Sequence, residues 1–283
     1  METTMFKDPA AFLQAADAYI GTEPFSSSVV GVWVTGVIAG TKPHLADDVF
    51  ITVCDGDTVV GVAMHTPPFH LFLSRMPADA ASHIAAALHE SGRHLEGVNG
   101  CKEAVAAFTQ VWKDRSGRDS ILDTSMRLYY VDGLRPPTGV SGHPRPADET
   151  DCDLISRWSD AFHAEAMPGH PSRDAGEQSP PTNTDGFYLW LEDTQPVSMA
   201  RYSPPVAGVS RVGPVYTPPE HRRHGYGSAV TAAATRAALD GGASEVILYT
   251  DLSNPTSNAI YQAIGYVADH DAEERSFVER AQT

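Results

Sequence analysis

The feature that most restricts the fold of this 283-residue chain is a break near its middle. The run Gly133-Leu134-Arg135-Pro136-Pro137-Thr138-Gly139-Val140-Ser141-Gly142-His143-Pro144 is rich in Gly and Pro and has no apolar period. That is the composition of a boundary between domains, not of a helix or strand. Two domains of ordinary size are expected, at 1–135 and 145–283, joined by a linker at 136–144.

The two halves echo one another. Asp55-Gly56-Asp57 leads into Val59–Thr66 and then Pro67-Pro68. Glu192-Asp193-Thr194 leads into Pro196–Ser203 and then Pro204-Pro205. Each is an acidic hairpin turn, a strand of small and β-branched residues, and a Thr/Ser-Pro-Pro exit. The match at half-length spacing predicts an internal duplication. Within the first half, periodicity predicts helices at Phe12–Ile20, Ala80–Glu90 and Lys102–Lys113, a hairpin from Val49–Cys54 and Val59–His65, and a closing strand at Met126–Val131. In the second half it predicts a helix over Glu149–Ala166 with Leu154, Ile155, Trp158, Ala161 and Phe162 on one face. A polar loop follows over Met167–Asp185, either a substrate-facing lid or plain flexible chain. Strands are expected at Phe187–Leu191, Val197–Tyr202, Ser210–Tyr216, Ser244–Thr250 and from Tyr266 onward. Helices are expected at His224–Leu239, stopped by Gly241-Gly242, and at Pro255–Ile264, with Asn254 as N-cap and Gly265 as stop. Strands first and then alternating with helices give a mixed α/β layer fold.

Composition narrows the function. A formal net charge of −16 repels a phosphate backbone, so no nucleic-acid partner is expected. The acidity suits a cationic substrate or simply aids solubility. Cys54, Cys101 and Cys152 form no CxxC and no even set, so they are expected as reduced thiols. The N-terminus lacks the pattern of a signal peptide, and no stretch nears the ~18 apolar residues of a membrane helix. A cytoplasmic protein without a membrane partner is expected; the sequence leaves its oligomeric state open. His89-Glu90-Ser91-Gly92-Arg93-His94 is one residue too long for the His-Glu-x-x-His zinc motif, because positions five apart on a helix diverge by about 140°. No metal is expected. No Gly-x-Ser-x-Gly elbow is present, which argues against a serine hydrolase.

The chemistry is concentrated in Val212–Ser228. There a strand ends, a turn carries Arg222-Arg223-His224-Gly225-Tyr226-Gly227, and a helix begins. Free N–H groups at a helix start favour a phosphate, and glycines allow close approach and positive φ. The segment is not a Walker A loop, since no Lys follows Gly227. It is not a dinucleotide fingerprint, since Val230 occupies the third glycine position. Arg222–Gly227 instead matches the Gln/Arg-x-x-Gly-x-Gly/Ala motif of the GNAT acetyltransferase superfamily. Downstream, Asn254, Tyr261 and Gly265-Tyr266 resemble that family's second signature. The resemblance covers roughly 144–277. The first half resembles a degenerate copy, so the whole is similar to the tandem-GNAT proteins: two domains, each a mixed, mostly antiparallel sheet flanked by helices.

The resemblance implies acetyl-CoA as acyl donor and a small-molecule or peptide amine as acceptor, joined by direct attack in a ternary complex. By position, Val215 and Thr217, with Tyr216 between them, would face the pantetheine arm. The Val215 N–H would act as an oxyanion donor, a kind of contact worth ~3 kcal/mol of barrier. Arg222, Arg223, His224, Gly225, Tyr226, Gly227 and Ser228 would hold the diphosphate, and Asn254 would touch the arm as well as cap its helix. Tyr261 would be the general acid, its phenol (pKa near ~10) protonating the departing thiolate; the alternative is a core tyrosine. The general base is not evident: Ser210-Arg211-Val212-Gly213 holds no carboxylate, leaving Glu165, His163 or a water chain. The counterpart segment Leu71–Ala80 has no cradle, so the first half is expected not to bind CoA. The alternative function is a non-catalytic acyl-CoA-binding or regulatory module.

Overall fold

The computed structural model describes residues 1–166 and 184–280. It divides into two compact units, Met1–Arg127 with His270–Thr283, and Leu128–Asp269. The expected loop at 167–185 lies almost wholly outside the described residues.

Unit 1 contains β1 (Glu2–Phe6), α1 (Pro9–Thr22), α2 (Ser28–Ile38), β2 (Val49–Asp55), β3 (Thr58–His65), β4 (Leu71–Leu73), α3 (Ala78–Glu90), β5 (Gly97–Cys101), α4 (Lys102–Ser116) and most of β6 (Asp119–Val131). The expected hairpin is β2–β3, with Val49 opposite His65. β3 pairs antiparallel with β4, and β4 runs parallel to β5. One sheet face buries Phe12, Ala16, Val30 and Val34 of α1 and α2 against Phe50, Val62 and Phe72. The other buries Ile84 and Leu88 of α3 and Val105, Phe108 and Trp112 of α4 against Ile51, Leu71, Leu73 and Val98. Alternation along each strand divides the apolar residues between these two layers.

Unit 2 repeats this order: β7 (His143–Pro146), α5 (Cys152–Ala166), β8 (Phe187–Glu192), β9 (Gln195–Tyr202), β10 (Val209–Tyr216), α6 (Tyr226–Asp240), β11 (Glu245–Asp251), α7 (Pro255–Ala263) and the start of β12 (Tyr266–Val278). Again the strands are antiparallel except for one parallel pair, here β10–β11. α6 covers one face, where Val230, Ala234 and Ala238 meet Ala200, Val212 and Val246. α5 covers the other, where Ile155, with Leu154, Trp158, Ala161 and Phe162 packed around it, meets Phe187, Leu189, Met199 and Tyr216. The fold is mixed α/β with a mostly antiparallel sheet flanked by helices.

Local chemistry sets the boundaries. The helix expected from Glu149 is divided: Glu149–Asp151 forms one 3-10 turn inside a capping box, and α5 starts at Cys152. Asp148 accepts from the Thr150 N–H at 2.9 Å, while Asp151 accepts from the Asp148 N–H at 2.9 Å. Arg145 grips the Asp151 carboxylate with both terminal nitrogens, at 2.8 and 2.9 Å. β12 changes unit along its length. Its residues Ala272–Ser276 pair antiparallel with Cys101–Gly97 of β5, closing the unit 1 sheet, and Phe277 enters the core beside Phe108 and Trp112.

Candidate active site in unit 2

The site begins where β10 leaves β11. Val209, Ser210 and Arg211 pair with Glu245, Val246 and Ile247, and the pairing stops there although β11 continues to Asp251. On the other side, Val212 opposes Tyr202 but Val215 opposes Ala200, so β10 carries one extra residue between them. Gly213-Pro214 is the cause. Gly213 takes φ 149°, and Pro214 has no N–H to donate to a ladder. Beyond the bulge, Val215 and Tyr216 remain paired to β9, not to β11. Unit 1 lacks this gap. All three residues of β4 pair with β5, and Gly100 (φ 133°) lies so close to the Leu73 carbonyl that a β-carbon would collide with it.

Next to the parted strands, α6 starts without a cap. Its N-cap is Gly225, in the left-handed region at φ 84°, with no side chain to satisfy the first-turn amides. The N–H groups of Tyr226, Gly227 and Ser228 therefore have no acceptor within the helix. They form a partial positive charge suited to an anion. The helix expected from His224 begins instead at Tyr226, because a left-handed Gly225 cannot continue into a helical turn. Of the two glycines only Gly225 uses positive φ; Gly227 is helical, and its bare Cα face looks toward the Thr217 Oγ1. Arg223 itself takes φ 67°, a conformation unusual for a side-chain-bearing residue.

The cradle's cations divide. Arg222 is committed: its Nη2 meets Glu165 Oε2 at 2.6 Å, its Nε donates to the Thr217 carbonyl at 2.9 Å, and its N–H donates to Pro219. Arg223 is exposed and makes no hydrogen bond or ion pair among the described residues. His224 stacks on Tyr226 with ring centroids 5.4 Å apart. Tyr226 is buried, and its hydroxyl bonds to Glu192, which holds the phenol above and the carboxyl below their ordinary pKa values. Ser228 Oγ donates to the Gly225 carbonyl at 2.7 Å. Ser198, not singled out in the sequence, braces the arm-side strand by donating to the Tyr216 carbonyl at 3.0 Å and meeting Thr217 Oγ1 at 2.8 Å.

Tyr216 and Glu165 form the α5 side. The Tyr216 hydroxyl donates to Glu165 Oε1 at 3.0 Å, and its pKa is raised by burial and then by this bond. Arg222, helped by Tyr216, holds the Glu165 carboxyl below its usual range. Doubly engaged and acidified, Glu165 is a poor proton acceptor.

α7 carries the second signature. Asn254 Oδ1 accepts from the Ser257 N–H at 3.0 Å, so its side chain is spent on the cap. Asn258 ties α7 to β11 through the Asp251 carbonyl and accepts from the Tyr129 hydroxyl, at 2.8 and 2.9 Å. Tyr261 is half-buried, edge-on to Tyr266 at 6.2 Å, and its hydroxyl has no hydrogen-bond partner among the described residues. Burial pushes its pKa up to about 12.

Comparisons with known proteins bear on the family and the fold. The model of the acetyltransferase (GNAT) family matches residues 153–266. A search of curated proteins by sequence gave no match. Among solved structures, a GCN5-related N-acetyltransferase from Kribbella flavida is 22% identical over 77% of this chain and 88% of its own, with a TM-score of 0.52. One from Sphaerobacter thermophilus is 14% identical over 99% and 98%, with a TM-score of 0.58. A tandem GNAT protein from the clavulanic acid biosynthesis pathway is 11% identical over 100% of both chains, with a TM-score of 0.53. The chain therefore carries a GNAT acetyltransferase domain at 153–266 and, over its length, the fold of a tandem GNAT protein. Family and fold support acyl-CoA-dependent acetyl transfer in general terms. Among the described residues no helix is long and apolar enough to cross a membrane.

Proposed function

We propose that unit 2 is an N-acetyltransferase that moves an acetyl group from acetyl-CoA to a primary amine by direct attack in a ternary complex, and that unit 1 is a degenerate copy that does not bind CoA. The observation that carries this is the gap between β10 and β11 beside the uncapped start of α6. An extended thioester arm needs unpaired strand edge, and a diphosphate needs unsatisfied N–H groups. Unit 1 has a closed β4–β5 pair and, after β4, a helix entered through Pro77 without a glycine turn.

The residues fit a CoA group. Tyr226, Gly227 and Ser228 offer amides to the diphosphate, with Gly225 shaping the turn. Arg223, unpaired among the described residues, supplies a cation, while Arg222 stays with Glu165. His224 belongs to the cradle and Asn254 to the arm, each with a side chain already engaged. Val215, Tyr216 and Thr217 lie along the arm, and the Val215 N–H is the oxyanion donor. Acetyl-CoA supplies an activated thioester and a thiolate leaving group. The phenol of Tyr261, protonated across the physiological range and without a hydrogen-bond partner among the described residues, gives its proton toward that sulfur. With Glu165 acidified, His163 or a water chain is left to deprotonate the acceptor.

The test is thiol release from acetyl-CoA with a panel of amines, alongside calorimetry with CoA. Tyr261→Phe should lower kcat about 100-fold or more with the CoA Kd unchanged. Wild-type kcat should show no alkaline fall from this phenol until pH approaches about 12. Tight CoA binding without turnover of any amine would instead favour the non-catalytic module, to which the acidified Glu165 lends some weight. Absence of CoA binding would refute both.

A further inference from the structure

Two arginines on the α5 face of the unit 2 sheet have no part in the chemistry above. Arg211 opposes Ile247 at the last β10–β11 pair, so it stands where the strands part. Arg201 opposes Phe187. Since Val212 opposes Tyr202, Arg211 lies beside Ser203, and alternation along β9 sets Arg201 on that same face. It is the face whose Phe187, Leu189 and Met199 pack with Ile155 of α5. Tyr249, two residues beyond Ile247 on β11, shares it.

Their environments differ. The Arg201 guanidinium lies 5.4 Å over the Phe187 ring, and its Nε donates to the Asp185 carbonyl at 3.2 Å. Arg211 is half-buried and makes no side-chain hydrogen bond or ion pair among the described residues. Burial lowers its pKa, Tyr249 offsets part of that effect, and Arg201 adds repulsion. N–H donors held partly away from water without an acceptor carry a cost, and a second cation nearby adds to it. A chain with net charge −16 has carboxylates to spare, yet none among the described residues pairs with this guanidinium. A β-branched apolar residue would suit a central strand better. Such a pair of cations at the mouth of a gap is built to receive an anion.

We propose that Arg211, assisted by Arg201, binds an anionic group of the acceptor, so that the substrate is an amine bearing a carboxylate or phosphate and not a polyamine. This rests on the acyltransferase assignment of the same site. Carboxylate and phosphate share the chemistry that a guanidinium fork recognises: two oxygens spaced for paired N–H bonds. The two cations would repel the further ammonium groups of a polyamine.

The experiment titrates the CoA-saturated full chain, its diphosphate cradle filled, with 3-aminopropanoate, 2-aminoethyl phosphate, ethanolamine and spermidine, and repeats this on Arg211→Gln and Arg211→Lys. At least one anionic amine should bind about 10-fold or more tighter than ethanolamine, spermidine should bind weakest, and Arg211→Gln should erase the advantage while Arg211→Lys keeps part of it. The carboxylate and phosphate arms show which anion is preferred. The CoA Kd should be the same in all three proteins. The thermal midpoint of Arg211→Gln should be unchanged or higher, since a half-buried charge without an acceptor among the described residues is removed. No anionic preference, an equal preference in Arg211→Gln, or a midpoint several degrees lower would overturn the proposal. Failure of CoA to bind would refute the acyltransferase assignment instead; the wild-type against Arg211→Gln comparison, made without CoA, would still decide the arginine site.

Discussion

Gly225→Ala probes the backbone turn on which the cradle depends. Gly225 sits at φ 84°, immediately before Tyr226. An L-residue in the left-handed region pays about 1–2 kcal/mol. The added methyl would also stand 2.9 Å from Cγ2 of Val140, whose short side chain can yield a few tenths of an ångström. The backbone term should therefore exceed the contact term. Alanine also narrows the unfolded ensemble, which returns up to about 1 kcal/mol. The net loss of stability should be small, about 1 kcal/mol. The functional loss should be larger. If the turn relaxes toward negative φ, the amides of Tyr226, Gly227 and Ser228 no longer converge, and CoA affinity should fall about 10-fold or more, at about 1.4 kcal/mol per decade. Urea denaturation and CoA calorimetry measure the two effects, and Val140→Ala in the Gly225→Ala background separates the terms. Wild-type stability and affinity in Gly225→Ala, or full recovery on trimming Val140, would refute the φ argument.

Two further predictions concern the scaffold. Asp271 accepts from Arg127 at 2.6 and 3.1 Å, which holds its carboxyl below the ordinary range. Its contribution is thus complete above the unfolded carboxylate pKa, about 3.9, and is lost as pH falls through the lower folded value. The urea-midpoint gap between wild type and Asp271→Asn should be constant near neutrality and close only in acid; a gap that widens in acid would contradict the sign. Asp151→Asn should cost about 2–3 kcal/mol, because a buried carboxylate that accepts from both Arg145 nitrogens and the Asp148 N–H becomes neutral. A denaturation midpoint within error of wild type would show that the Arg145 pair contributes nothing.

Much of the fold is legible residue by residue. The β2–β3 hairpin shows in two short, Val-rich apolar runs separated by Asp55-Gly56-Asp57, and α7 shows in Asn254, Pro255 and Gly265, each with a local reason. α2 does not: Ser28–Ile38 is dense in Val and Gly, poor helix formers, and becomes helical because Val30 and Val34 bury against Phe12 and Phe50. β5 is equally hidden, since Gly97–Cys101 has little strand propensity and is held between β4 and β12. At the site, Arg222-x-x-Gly-x-Gly marks the turn, yet it gives no hint that Arg222 is bound to Glu165, 57 residues away.

The sequence alone determined what short-range sterics and periodicity control: the repeat, the amphipathic helices, the Gly225 turn and the caps. The tertiary structure decided what depends on partners distant in the chain. It sent the end of β12 to β5, set Arg222 against Glu165, and left Arg211 without a counter-ion among the described residues at the parting of β10 and β11. A side chain's charge is written in the sequence, but whether that charge is neutralised, and so whether it can still bind anything, depends on which residues the fold brings beside it.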